Sequence, residues 1–525
     1  MLIPRKDAGP NIGSCIPSTG QAADESIVAD IGPNGGVWEI DRSPGSCQLT
    51  QRGPRFRLAA AVLWGALAVA VCLQPVWRQN GRSACPACCP VFPASSRHWW
   101  ADLSLYADYP HIDRYRYSPV FAIAFTPLAY LPWPYGGILW ELGSIAVLFF
   151  SLHVMARDIL PALGEPLLAS QSKDTGLLRI RTPDETNAPM PMASIRHGYE
   201  GSFLMLAMGG LAVGIWSGQT NAMVTALMIL GLAATLRRRW WTAAFLLAAP
   251  VFIKLWPVAM VLLLITFWPR QLAGRFLLAF AVFALVPFLT RPPETVAWQY
   301  MEWYRDLTGP GPLHVCGPQV RSQMANQYGN SAGSPLLHVR PIWYRDAWTI
   351  WNELCPPVHD GIYHLLQLVT AVGVLCWCHW QRRRTTVDSH FLLRVYSIWA
   401  AWQLSFGPSV EQLTYGILAP AASWAVLVSY GERKARWLTT TVWTVLTLFG
   451  SGDIESAACR VFPAAKILMP LAVVLFLVWL LWHERGPVRM PEQRLPETKL
   501  PVEVVSVATW ATQAPSTSVE RRAAA

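Results

Sequence analysis

The stretch SSRHWWADLSLYADYPHIDRYRYSPVFAIAFTPLAYLP, residues 95–132, changes character part-way along. It first sets Asp102, Asp108, Asp113, Arg114 and Arg116 among Trp99, Trp100, Tyr106 and Tyr117, and from Pro119 onward it is almost wholly apolar. Trp and Tyr, each with an apolar body and a polar edge, gather where membrane meets water. Acids, bases and such aromatics placed directly against an apolar run therefore read as a loop at a bilayer surface that turns into the membrane.

The surrounding composition agrees. Of 525 residues, 53% are hydrophobic and only 14% charged, with 27 Trp, which is outside the usual range of soluble domains. This predicts an all-α polytopic membrane protein. The formal charge of +10 does not call for a nucleic-acid partner, because the basic residues fall in short clusters at the ends of apolar runs, as the positive-inside rule requires. Residues 1–57 are polar and lack the apolar core of a cleavable signal peptide. They are expected to be a disordered cytoplasmic tail, with the first apolar run as an uncleaved anchor. Residues 486–525, rich in Pro, Glu and Thr, read as a second disordered tail, leaving 58–485 as the transmembrane domain.

About 20 apolar residues cross the hydrocarbon as a helix. The segments 58–77, 135–157, 199–217, 219–236, 274–290, 361–380, 391–410, 413–430, 437–451 and 464–482 fit that length. Shorter runs at 118–132, 240–254 and 256–268 are interrupted by Pro, giving roughly 10–13 transmembrane or re-entrant helices. Arg52, Arg55 and Arg57, Arg237 to Arg239, Arg270 and Arg275, Arg382 to Arg384, Arg433, Lys434 and Arg436, and the tail after His483 mark the cytoplasmic side. The loop 78–117, the SGQTN turn (217–221), the region around Lys254, the loop 291–360 and the GPSVEQ turn (407–412) are then outside. Segment 118–132 must be re-entrant or interfacial if 158–198 is cytoplasmic. No 20–50-residue repeat or inverted halves are visible.

The polar residues near helix ends converge on that outer face. Asp102 lies in WWADLSLY, where a carboxylate at headgroup depth could take a proton from a substrate hydroxyl, or simply be a solvated loop acid or helix cap. Lys254 follows the cytoplasmic Arg239 by about 15 residues, roughly 22 Å of helix, near the outer boundary. An ionisable residue in a membrane segment is a functional candidate, with phosphate as the obvious partner; snorkelling to the interface is the ordinary alternative. Glu411 arrives at the same edge as a second acid, a sugar-hydroxyl acceptor or a countercharge to Lys254. Gln219 and Asn221 are hydrogen-bonding residues at a turn on that side. Arg114, Arg116, Arg321 and Arg340 could grip phosphate, and SQMANQYGNSAGS (322–334) is dense in amides and hydroxyls. Cys85, Cys88 and Cys89 lack a Cys or His pair to complete a zinc site, so a disulfide is expected, with Cys316 or Cys355 as possible partners. Walker, dinucleotide, zinc-protease and serine-hydrolase motifs are absent.

Taken in order, DLSLY (102–106), YSPVFAIAFTPLAYLP (117–132), GQTN (218–221) and AAPVFIKLWPVAMVLLL (248–264) resemble the GT-C glycosyltransferases of family 87, which include polyprenyl-phosphomannose-dependent α-mannosyltransferases. The resemblance covers 58–290 well and the remainder loosely. It implies a GT-C-type bundle whose first extracytoplasmic loop carries interfacial helices, a polyprenyl-phosphate sugar as donor, an outer-face active site and Asp102 as base. Where the family often carries a Ser-Pro…Trp…His-His turn, this chain has FGPSVEQLTY (406–415), pointing to a different sugar or acceptor, or to lost catalysis.

Together these features describe an inverting hexosyltransferase of the cell membrane, acting on an extracytoplasmic glycan or glycolipid. Asp102 is the expected base, and Lys254, Arg114 and Arg116 the donor-phosphate contacts. Tyr117, Gln219, Asn221 and Glu411 are the expected sugar or acceptor contacts. The scheme needs no metal and no cofactor beyond the donor lipid, since phosphate leaves without a proton donor and the cations supply positive charge. The rival is a transporter or flippase of lipid-linked sugars, which would carry its ionisable residues near mid-membrane and show repeat symmetry.

Overall fold

The computed structural model describes residues 46–79, 88–107, 115–132, 134–160, 192–308, 345–355, 360–384, 388–407, 410–432 and 434–483. Contacts divide the chain into two units, Met1–Gln51 and Arg52–Ala525, and the helical bundle belongs to the second. Among the described residues there is no strand. That follows from the composition: without water, a membrane segment satisfies its backbone groups only within a helix or a closed barrel.

The first described helix is α1 (Ser46–Gln79), which starts ahead of its apolar run, followed by α2 (Cys88–Trp100) in the loop 78–117. Two stubs, α3 (Pro119–Ala124) and α4 (Thr126–Ala129), occupy 118–132 and are too short to cross a membrane, as expected for a re-entrant or interfacial segment. Next come α5 (Tyr135–Val154), continued by a π turn to Ile159, then α6 (Met192–Trp216), α7 (Asn221–Leu236), α8 (Trp240–Ile253), α9 (Val258–Phe267), α10 (Gly274–Leu285) and α11 (Pro293–Thr308). The C-terminal half holds α12 (Ala347–Leu354), α13 (Asp360–Arg384), α14 (Ser389–Phe406), a 3-10 segment (Gln412–Leu418), α15 (Ala419–Glu432), α16 (Arg436–Phe449), α17 (Gly452–Val461) and α18 (Leu468–His483). Among the described residues, seven helices are long and apolar enough to cross a membrane, and α7, α8 and α9 are shorter apolar helices. Of the expected tails, 1–57 and 486–525, residues 1–45 and 486–525 lie outside the described residues, and 46–57 form the start of α1.

Long-range contacts sort into two ends. At one, Arg57 pairs with Glu200 at 2.6 Å, His153 meets the same carboxylate at 2.6 Å, and Arg237 pairs with Asp158. The guanidinium of Arg275 lies over Trp241, Trp240 packs on Trp268, and Arg382 donates to Thr266 O at 2.7 Å. At the other, Gln74 donates to Trp216 O, Trp140 to Gly218 O, and Gln367 to Phe406 O. Each contact joins segments that the charge-cluster reading puts on one side once 158–198 is taken with the arginine clusters. Close approach is built in at Gly201 of α6, where a Cβ would come within 2.4 Å of Phe56 C on α1.

Two departures from the sequence reading matter for the site. The arms α8 and α9 have 14 and 10 residues, about 21 and 15 Å of helix against a hydrocarbon core of about 30 Å, so neither crosses. They form a hairpin with Lys254 near its tip. Trp256 packs against Trp399, and Phe267 meets Phe391 edge to face, so the tip is level with Trp399, about 10 Å short of the end of α14 at Phe406. Lys254 is therefore recessed rather than at the boundary. Separately, Cys355 carries a free thiol, which removes it as a disulfide partner; Cys85 and Cys316 lie outside the described residues.

Candidate active site

The tip of the α8–α9 hairpin is fastened to the segment that follows α2, at Ser118. The last carbonyls of a helix have no intrahelical donor, and Pro250 lies within the last turn of α8. Lys254 N takes the carbonyl of Pro250 at 2.8 Å, and Ser118 takes that of Phe252 with both its N–H and its hydroxyl. Lys254 itself is extended (φ −140°, ψ 139°). The Tyr-Ser-Pro element thus lies against the residues flanking Lys254, which sequence alone kept more than a hundred residues apart.

A column of phenols holds that element. Tyr106 donates to Tyr117 O and Tyr115 to Ser118 O, each at 2.8 Å, and the rings of Tyr106, Tyr115 and Tyr117 pack in series. Burial pushes the Tyr106 and Tyr115 phenols well above their usual range, so both stay protonated and act as donors. Above them α2 covers α3 and α4: Ser96 donates to Ala122 O, Arg97 to Ala129 O and Trp100 Nε1 to Thr126.

Asp102 stands where α2 ends. Leu103 N reaches back to His98 O at 2.9 Å, the six-to-one bond of a Schellman-type stop, which puts Asp102 in the left-handed region at φ 54°. Its Oδ2 accepts from Arg291 Nη1 at 2.8 Å, and Arg291 also donates to Trp100 O and lies 5.6 Å over the Trp100 ring. Gln299 of α11 pins the following residues, donating to Leu103 O and accepting from Leu105 N. Asp102 pairs with Arg291 and not with Lys254; its loop reaches the Tyr117–Lys254 side at Tyr106, whose phenol donates to Tyr117 O.

Arg116 pairs with Glu411 at 3.4 Å, so the loop 78–117 also meets the 406–415 turn. Asn221 donates to Gln219 at 3.1 Å, and Asn221 and Gln412 line one cavity of about 10 Å³ with Gly214 and Gly450, room for about one water. Asn221 Oδ1 is buried without a hydrogen-bond partner among the described residues. Arg116, Tyr117, Gln219, Asn221, Lys254 and Glu411 are thus linked at one end of the bundle. Arg114, Arg321, Arg340, Asp108, Asp113 and the 322–334 loop lie outside the described residues.

The family model of glycosyltransferase family 87 matches residues 115–405. The chain belongs to glycosyltransferase family 87. No curated protein matches it. A family 87 chain with this many apolar helices is a membrane glycosyltransferase, with a donor and an acceptor to bind. The family match holds Arg116, Tyr117, Gln219, Asn221, Lys254 and Arg291, and leaves Asp102 and Glu411 just outside at its two ends.

Three features of this family 87 chain escape a reading of sequence. Glu141 is 2% exposed within α5, beside the Trp140 that anchors the GQTN turn; an acid inside an apolar segment was the available signal. Arg291 sits at a loop boundary with nothing local to mark its bond to Asp102. The Arg345–Glu455 pair, side chains 10% and 1% exposed, joins the end of the long loop to α17 with no motif at either residue.

Proposed function

We propose that this glycosyltransferase moves a hexose such as mannose from a polyprenyl phosphate to an extracytoplasmic glycan or glycolipid, inverting the anomeric carbon. Asp102 takes the proton of the acceptor hydroxyl as its oxygen bonds to that carbon, and the bond from the carbon to the phosphate oxygen breaks. The departing phosphate carries its own charge and needs no acid. Lys254 with Arg116, and Arg114 from the same loop, stabilises it; Tyr117, Gln219, Asn221 and Glu411 hold sugar or acceptor hydroxyls. No metal or further cofactor takes part.

The observation that supports this most is the Ser118 to Phe252 anchoring, which sets the loop bearing Arg116 and Tyr117 against Lys254. The site lies at the end opposite Arg57, Arg237, Arg275 and Arg382, and by the positive-inside rule that end is the one facing away from the cytoplasm.

The test uses the full chain in liposomes with radiolabelled polyprenyl-phosphate hexose and a glycolipid acceptor. Label should leave the carrier for the acceptor, and Lys254→Met should cut the rate about a hundredfold, the usual cost of losing a charge-stabilising donor. Label that crosses the bilayer still bound to its carrier would make the protein a flippase. An unchanged rate in Lys254→Met would remove the lysine from the chemistry.

A further inference from the structure

Arg291 lies at the point where a membrane span ends. The span Pro269–Leu289 stops two residues before it, and the last residues, Phe288 and Leu289, are exposed. Beyond it, α11 buries Val296 and Gln299 while exposing Trp298, Met301 and Tyr304 at three-residue steps, the pattern of a helix lying in a membrane interface. Trp99 is bonded to Thr290 next door. These neighbours put the guanidinium at headgroup depth, where a lipid-borne phosphate travels.

The guanidinium is also built to exchange anions. It is 17% exposed while its partner Asp102 is 57% exposed, and an ion pair so open to water is worth little. Asp102 holds it through a single oxygen, and Arg291 Nε is buried without a hydrogen-bond partner among the described residues. The guanidinium lies 5.6 Å over the Trp100 ring and its other terminal nitrogen donates to Trp100 O, which holds the group in place. A phosphate can take the Nη1 that Asp102 holds through one oxygen, with a denser negative charge than a single carboxylate.

We infer that Arg291 binds the phosphate of the lipid-linked donor, and that the Asp102–Arg291 pair is the resting state which the arriving phosphate breaks. One anion replaces another on the guanidinium, with no covalent change. The carboxylate released is the one assigned as base, so the base is freed only when donor is present. This rests on the proposed glycosyl transfer for the role of Asp102, but phosphate binding at Arg291 can be measured without any transfer.

Purified full chain in nanodiscs is titrated with polyprenyl phosphate lacking sugar, with a diacyl phosphatidic acid and with inorganic phosphate. Arg291→Gln is expected to weaken polyprenyl phosphate binding about tenfold, the worth of a charged hydrogen bond, and Arg291→Lys less. Asp102→Asn, which removes the competing anion, should tighten it about two- to fivefold. The opposite signs of the two variants separate this from a merely structural pair, which would lower thermal stability in both and leave binding alone. Equal binding by wild type and Arg291→Gln, or no gain in Asp102→Asn, overturns the inference. So does equal Arg291-dependent binding of phosphatidic acid or inorganic phosphate, since the residue would then be a general headgroup or anion contact. If binding behaves as expected while no hexose is transferred, the inference stands and the transfer reading fails.

Discussion

Asp102→Asn should lower hexose transfer about a thousandfold, the range for losing a general base, while leaving thermal unfolding nearly unchanged. Asn keeps the size of the side chain and is tolerated at φ 54°, the left-handed backbone that Asp102 adopts at the end of α2. Asp102→Gly sharpens the comparison. Glycine is the usual occupant of this helix-stop position and pays no steric cost there. Losing the exposed pair with Arg291 costs about 0.2–1 kcal/mol, and relief of the left-handed strain offsets it. The glycine variant should therefore be as stable as the parent and equally inactive, which no purely structural role produces. Initial transfer rates alongside thermal unfolding decide it; a glycine variant that still transfers would reduce Asp102 to a helix stop.

Glu455→Ala should be the most destabilising single change outside the apolar core. The carboxylate is almost fully buried and meets Arg345, itself mostly buried. Removing one partner of such a pair leaves charge in a low-dielectric setting, costing about 3 kcal/mol here, the low end of the usual range because Asp346 is adjacent. The effect spreads to the site: Arg345 N donates to Val410 O at 2.7 Å and Tyr415 donates to Arg345 O at 2.8 Å, bracketing Glu411 and Gln412. Thermal unfolding should fall by several degrees and the acceptor KM should rise. The double change Arg345→Met with Glu455→Leu should recover most of the stability, since buried pairs are replaceable by apolar residues of similar size. A fully stable Glu455→Ala would mean the pair holds nothing.

What the sequence made legible was whatever repeats locally. Each apolar run became a helix, and the arginines at their ends sorted onto one end of the bundle, because both follow from transferring a segment into hydrocarbon. Candidate residues with a neighbouring pattern, such as GQTN before α7 or Lys254 before Pro257, were found for the same reason. Depth was misjudged at Lys254, because counting helical rise from Arg239 treats a hairpin arm as a crossing, and only the ten-residue return arm α9 reveals the tip. The pairings that organise the site, Asp102 with Arg291 and Arg345 with Glu455, join residues 189 and 110 positions apart. Nothing in either local sequence specifies such a partner; it is chosen by which helix ends the bundle brings together.

The most direct measurement is a structure of the full chain bound to a non-cleavable polyprenyl-phosphonate hexose. The phosphonate is expected at the end of the bundle that holds Tyr117, Lys254 and Asp102, with the anomeric carbon about 6 Å from the Asp102 carboxylate, leaving space for one acceptor hydroxyl between them. A phosphonate seated instead near Arg57, Arg237 and Arg382, or one separated from Asp102 by packed helices, would contradict glycosyl transfer by this acid.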